Sequence, residues 1–263
     1  MPDPSCANCG APLLGEYCHA CGQRDTDADW HSLSDVFRQF GNELVNLDFK
    51  SLHTLAALLR PGYLPQEYLL GRKQRYLTPL KTYFLCAAIY FFVAPNVSGF
   101  NLAQLLKQDA DGTVHAAVAR RMTETQMSRD LFEERINLRM QTIYTLIPGL
   151  SAIAVALILR LLYRSPAMPM RTHIVFAVYY VAFLYLADVA VGAVNNVLQP
   201  STFWLIFPVQ LIAVGPYAFL ALGRVYGETA RRTTWKSAAF LVLAFIADIP
   251  FNVGARALMF ARM

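Results

Sequence analysis

Five runs of nearly unbroken apolar sequence set the terms for this chain, at about residues 80–98, 143–163, 174–194, 203–223 and 237–259. A helix needs about 20 predominantly apolar residues to cross a bilayer, and these runs approach or reach that length. Only 16% of the chain is charged and 56% is hydrophobic, whereas a soluble domain carries about 25% charge. Lipid is therefore the expected main solvent. The first run is the weakest, because Lys81 lies near its start and must snorkel to the surface. The second contains Pro148-Gly149, which predicts a kink.

Charge orients the runs. With the N-terminus inside, the inner flanks hold Arg72, Lys73, Arg75 and Lys81, then Arg160, Arg164 and Arg171, then Arg224, Arg231, Arg232 and Lys236. The short outer loop "NNVLQPST" has no basic residue. The long outer loop, residues 99–142, carries six basic and six acidic residues, which weighs against this orientation. Eleven inner basic residues in short flanks still predict N-in and C-out by the positive-inside rule. The outer loop has a helical pattern that extends the second span, with Val118, Met122, Leu131, Phe132 and Ile136 as a packing face.

The chain opens differently. "CANCGAPLLGEYCHACGQ" places Cys6, Cys9, Cys18 and Cys21 in a C-x₂-C-x₈-C-x₂-C pattern. Two residues between ligands let one tight turn present both thiolates to one ion, and Gly10 and Gly22 supply the left-handed backbone that such a turn needs. Four thiolates fill the tetrahedral shell of zinc and leave no position for substrate, so the expected site is structural Zn2+. His19 adjoins Cys18 and reads as a surface residue. The N-terminus lacks a basic segment followed by an apolar one, so this module is expected to stay in the reducing cytosol, where paired cysteines bind metal rather than pair. With so small a core, the metal supplies most of the folding free energy. Within residues 1–31 Arg24 is the lone basic residue, against Asp3, Glu16, Asp25, Asp27 and Asp29. That sign is wrong for nucleic acid, and a protein partner or the rest of this chain is expected instead. The fifth cysteine, Cys86, reads as a small core hydrophobe.

The domains expected are a zinc ribbon at 1–25, a linker with amphipathic helices at 26–79, and a transmembrane domain at 80–263. In the linker, Leu33, Val36, Phe37, Phe40 and Leu44 recur at helical spacing after an N-cap at Ser32 or Ser34. A second amphipathic helix puts Leu52, Leu55, Leu58 and Leu59 on one side and ends at Pro61-Gly62. Both are expected to lie on the inner leaflet or against the spans; a small soluble helical subdomain is the alternative. Then Arg60, Arg72, Lys73, Arg75 and Lys81 interleave with Tyr63, Tyr68, Tyr76 and Tyr83. This collar is either an ordinary positive flank with an aromatic belt or a specific pocket for anionic lipid or phosphate, braced by Pro61, Pro65 and Pro79. Arg60, Arg72, Lys73, Arg75, Tyr76 and Lys81 are its candidate residues.

Inside the spans, Asp188 and Asp248 sit at similar expected depth, past the midplane. Asn195 and Asn252 follow on the same helices, and Gln210 on the fourth run could join them. Ionisable groups at that depth are costly and mark functional sites by default; the alternative is that they hold helices together by hydrogen bonds. No phosphate loop, H-E-x-x-H, G-x-S-x-G or nucleophile–base constellation is present, so a non-enzymatic protein is expected.

Four stretches together resemble a bacterial family described only as a domain of unknown function, in which a short zinc ribbon is joined to a multi-span membrane region. They are "CANCG…YCHACGQR", "HTLAALLRPGYLPQEYLLGRKQRYLTPLKTYF", "HIVFAVYYVAFLYL" and "YAFLALGRVYGETARRTTWKSAAF". The family pattern has a histidine soon after the aromatic of the third stretch, where this chain has Tyr179 and Tyr180. The resemblance implies architecture and inner-membrane location, not an activity. The layout is also similar to Yip1-like membrane proteins at the level of fold. The expectation is a non-enzymatic inner-membrane protein whose ribbon recruits or senses a protein partner while the collar engages anionic lipid. A transporter or lipid-handling protein using Asp188, Asn195, Asp248 and Asn252 is the alternative.

Overall fold

The computed structural model describes residues 5–24, 49–97, 102–107, 109, 112–165, 168–198 and 203–260. The helix expected around Leu33–Leu44 lies outside them. Among the described residues the architecture is all-helical, with isolated β-bridges at the N-terminus. The helices are α1 (Phe49–Leu58), α2 (Tyr63–Leu69), α3 (Pro79–Val97), α4 (Leu102–Lys107), α5 (Thr113–Thr125), α6 (Arg129–Leu162), α7 (Met170–Leu198), α8 (Phe203–Tyr226) and α9 (Ala230–Phe260).

Each expected apolar run forms a helix, and their packing follows a ring. α6 packs on α7, α7 on α8, α8 on α9, and α9 back on α6, while α3 lies along the outer side of α7. α7 is therefore the central element, which explains its unbroken apolar character and its buried Phe176, Ala177, Tyr179 and Ala182. Cys86 of α3 is completely buried in this core, as expected of a small hydrophobe.

Among the described residues two segments, Met170–Val194 of α7 and Ala230–Phe251 of α9, are long and apolar enough to cross a membrane, which points to membrane association. Among the same residues, Pro79–Val93, Gly149–Leu162 and Leu211–Tyr226 are shorter apolar stretches within α3, α6 and α8. The two long ones differ in burial: 56% of the apolar window in α7 is buried inside the protein, but only 11% of that in α9. The outer side of α9 shows Val242, Phe245, Ile246 and Ile249 to the surroundings, and α6 shows Ile153, Leu157 and Leu161. Exposed apolar side chains along these helices agree with that membrane association.

α6 is 34 residues long, so at 1.5 Å per residue it reaches about 51 Å. Its N-terminal part carries a second, smaller core in which Leu102, Val118, Phe132, Ile136 and Met140 pack α4 and α5 against it. Val118, Phe132 and Ile136 thus form the packing face expected of this region, with Met122 partly buried beside them. Leu131 does not join: it is 43% exposed, one helical position off the face that Phe132 occupies.

The leucine face expected for α1 is divided. Leu58 is buried, but Leu52 and Leu59 are exposed, and the inward positions are Ser51, Thr54 and Ala57. Thr54 accounts for the polar inward position. Its Oγ1 donates to the Lys50 carbonyl at 2.7 Å and accepts the Leu77 backbone N–H at 3.0 Å. The backbone turn before α3 presses close and leaves an N–H that must be satisfied, so a small hydroxyl faces inward there; Leu52 and Leu59 turn out, while Leu58 and the half-buried Leu55 pack on the bundle.

Candidate metal centre and the basic collar beneath the bundle

The two cysteine knuckles are built alike. In the first, the Cys6 N–H donates to the Ala11 carbonyl and the Gly10 N–H to the Cys6 carbonyl, both at 2.8 Å, and a bridge from Ser5 to Pro12 closes the loop. In the second, Cys18 to Gln23 and Gly22 to Cys18 repeat the pattern at 2.8 Å, closed by Tyr17 and Arg24. Gly10 (φ 76°) and Gly22 (φ 70°) hold the left-handed residue of each turn. All four sulfurs lie within 4.8 Å of one another, with Cys6 to Cys21 at 3.6 Å and Cys9 to Cys18 at 3.5 Å. A tetrahedron with metal–sulfur bonds of about 2.3 Å has edges of about 3.8 Å, so the cluster has the size needed to hold a metal ion. Cys6 and Cys18 are buried while Cys9 is exposed, and His19 is on the surface as expected.

The module is docked, a feature that the spacing of cysteines does not reveal. Gln23 follows the second knuckle and is 4% exposed. Its Nε2 donates to the Gly71 carbonyl at 2.7 Å and its Oε1 accepts the Lys73 backbone N–H at 3.2 Å. Gln74 returns a hydrogen bond to the Gly22 carbonyl at 3.3 Å. Gly71 stands at φ 83°, and a Cβ there would come within 3.0 Å of the Ala7 Cβ. Gly71→Ala therefore adds left-handed strain to crowding against the module. It should loosen the docking and speed hydrogen exchange at the Lys73 N–H, without changing metal content.

The docked segment carries the collar. Leu64, Tyr68, Arg72, Lys73, Tyr76, Leu77 and Tyr179 line one narrow cleft, pinched to less than the width of a water molecule. Three of the six expected collar residues, Arg72, Lys73 and Tyr76, are thus brought together. Arg72 pairs with the buried Glu67 at 2.8 Å, and the Lys73 ammonium lies 5.4 Å from the centre of the Tyr68 ring. Tyr76 shares a hydrogen bond of 3.1 Å with Tyr63, whose ring faces Arg60 at 5.8 Å, and stacks on His53 at 5.0 Å. Burial, reinforced by the Tyr63 hydroxyl, pushes Tyr76 up to about 12, so it stays neutral. Arg60 thereby joins the same aromatic row, whereas the exposed Arg75 and the half-buried Lys81 do not line the cleft. Tyr179 forms its floor and donates to the Leu77 carbonyl at 2.9 Å; Tyr180 instead packs in the bundle against Phe240.

α1 and α2 attach the collar to the bundle. The Tyr217 hydroxyl donates to the Leu58 carbonyl at 2.8 Å and Arg224 to the Pro61 carbonyl at 2.7 Å. The same end gathers a cluster missed by sequence reasoning, because its members come from four separate helix ends. His173 Nδ1 meets the Tyr226 hydroxyl at 2.8 Å, Tyr226 stacks on Tyr163 at 3.8 Å, and Lys236 lies 4.0 Å over the other face of Tyr163. Glu228 closes the row with an ion pair of 2.6 Å to Lys236.

The intramembrane candidates are less concentrated. Asp188 is half-buried on α7, and Asp248 is exposed on α9. Their helices alternate around the ring, each packing on both α6 and α8. The side chains of Asn195, Gln210 and Asn252 lie outside the described residues.

The model of a family described as "Protein of unknown function (DUF3667)" matches residues 48–91. That segment holds α1, α2, the collar and the first part of α3, every cleft residue but Tyr179. No curated protein and no solved structure matches the chain.

Proposed function

We propose that this is a non-enzymatic, multi-span inner-membrane protein whose cytosolic zinc ribbon reports a partner's binding to a lipid-engaging collar. The observation that carries this reading is the grip of Gln23 on the backbone of Gly71 and Lys73. Through it, a metal-held module and the two cations of the cleft share one backbone segment. A partner that pulls on the ribbon shifts Arg72 and Lys73, and a headgroup that draws Arg72 from Glu67 strains the ribbon's dock. Such coupling is reciprocal by thermodynamic necessity.

The membrane part of the reading is supported by the apolar outer surfaces of α6 and α9 and by the five helical runs, with the three shorter ones crossing in company with α7 and α9. The N-in, C-out orientation follows from the basic flanks at the collar end. Zinc is the metal best suited to four thiolates in the cytosol. The cleft itself is too narrow to admit a headgroup, but the exposed Arg72 and half-buried Lys73 at its rim suit contact with anionic headgroups at the surface, as each basic residue near such a surface contributes about 1 kcal/mol.

Two measurements test it. A pull-down from detergent should recover a partner with the intact chain and lose it when Cys6 and Cys9 are both replaced by serine. Native mass spectrometry should show phosphatidylglycerol retained over phosphatidylcholine. Arg72→Ala with Lys73→Ala should reduce that preference about 30-fold, the equivalent of about 2 kcal/mol at about 1 kcal/mol per charge. Equal retention of both lipids by the unaltered protein would remove the collar from the reading.

A further inference from the structure

We propose that α1 is an insertion helix, with Phe49, Leu52, Ala56 and Leu59 entering the anionic leaflet beside the bundle. The inference deepens the membrane reading above and rests on it. Phe49, Leu52, His53 and Ala56 are exposed on one side of the helix, and Leu59 and Arg60, just beyond its end, are exposed too, while Ser51, Thr54, Ala57 and Leu58 turn inward. Phe49 is 92% exposed and Leu52 69%. A helix bathed in water would be arranged the other way round. The usual order is reversed here although the inner face is well satisfied, with Thr54 accepting the Leu77 N–H and Tyr217 donating to the Leu58 carbonyl.

Charge identifies the occupant of the outer face. From Phe49 to Arg60 the chain has no acidic residue, although Asp48 directly precedes it; Lys50 is half-buried towards the inner side, and Arg60 is the exposed cation beside the stripe. An apolar stripe with an exposed arginine at its C-terminal end suits the boundary between acyl chains and anionic headgroups. Position agrees. Tyr217 lies nine residues before the end of α8, so the C-terminal end of α1 is anchored about 13 Å along that helix from its tip. There the surface of α8 is already apolar, with Leu220 exposed.

The test places a photo-crosslinker in the full chain, reconstituted in vesicles of phosphatidylglycerol and phosphatidylcholine. With p-benzoylphenylalanine in place of Leu52, irradiation should give a lipid adduct visible as a mass shift. In place of Leu58, which faces inward, it should give a crosslink within the protein. A Leu52 crosslink to the chain itself, or no adduct, overturns the proposal. The same probe in place of Ile246 separates the two readings: lipid capture there without capture at Leu52 sinks only the inference about α1. Capture at neither position sinks the membrane reading as well.

Discussion

Replacing Cys18 by serine should remove the metal and, with it, the fold of residues 5–24. The unaltered protein is expected to carry one zinc per chain by elemental analysis, and Cys18→Ser close to none. The effect is large because the module has almost no apolar core: its buried hydrophobic residues are Cys6 and Cys18 themselves. Structural zinc sites of this ligand type contribute about 10 kcal/mol or more of folding free energy at neutral pH. Two knuckles held by four short backbone hydrogen bonds cannot supply that. The loss should propagate to the collar, since Gln23 leaves with the second knuckle, and hydrogen exchange at the Lys73 N–H should rise. Cys86→Ser gives the contrast, because that thiol lies in α3 within the bundle and its loss leaves metal content unchanged. Full zinc occupancy in Cys18→Ser would refute the ligand assignment, and iron in the unaltered protein would refute the choice of metal.

What could be read from residues alone follows the range of the interactions involved. The knuckles are local: two residues between cysteines and a glycine after each pair dictate the turn, and Cys6, Cys9, Cys18 and Cys21 meet as their spacing requires. The apolar runs are equally local, and each becomes a helix. The contact between Gln23 and Gly71 spans 48 residues and rests on one side-chain amide, with no periodicity to betray it. The row of His173, Tyr226, Tyr163 and Lys236 is hidden for the same reason, its members contributed by three helices and the residue just after a fourth. On α1 the limit has a different source. The helical spacing of Leu52, Leu55, Leu58 and Leu59 is legible, but not that the stripe divides, with Leu55 and Leu58 packed on the bundle and Leu52 and Leu59 exposed. The pattern of a buried face and that of a lipid-facing one are the same in sequence.

Gly62→Ala should unseat the collar from the bundle and cause the largest loss of stability expected of any single methyl group added here. Gly62 begins α2 at φ 69°, in the left-handed region, where a side chain costs about 1–2 kcal/mol. A Cβ there would lie 2.7 Å from the Ala221 carbonyl oxygen and 2.8 Å from the Ala221 Cα. Both are backbone atoms of α8, so no side chain can swing aside, and forced overpacking adds about 1–3 kcal/mol. The sum, about 3 kcal/mol, should appear as a clear fall in the thermal midpoint in detergent. Gly227→Ala calibrates the strain alone: its φ is 64°, but nothing lies within 4 Å of the added carbon. It should cost no more than the backbone penalty of about 1–2 kcal/mol. The displaced hairpin would also strip α8 of its bonds from Tyr217 to Leu58 and from Arg224 to Pro61. Phosphatidylglycerol retention should therefore fall in Gly62→Ala and stay intact in Gly227→Ala. Equal midpoints for the two variants would mean that the hairpin tip does not press on α8, and the attachment of the collar to the bundle would need another basis.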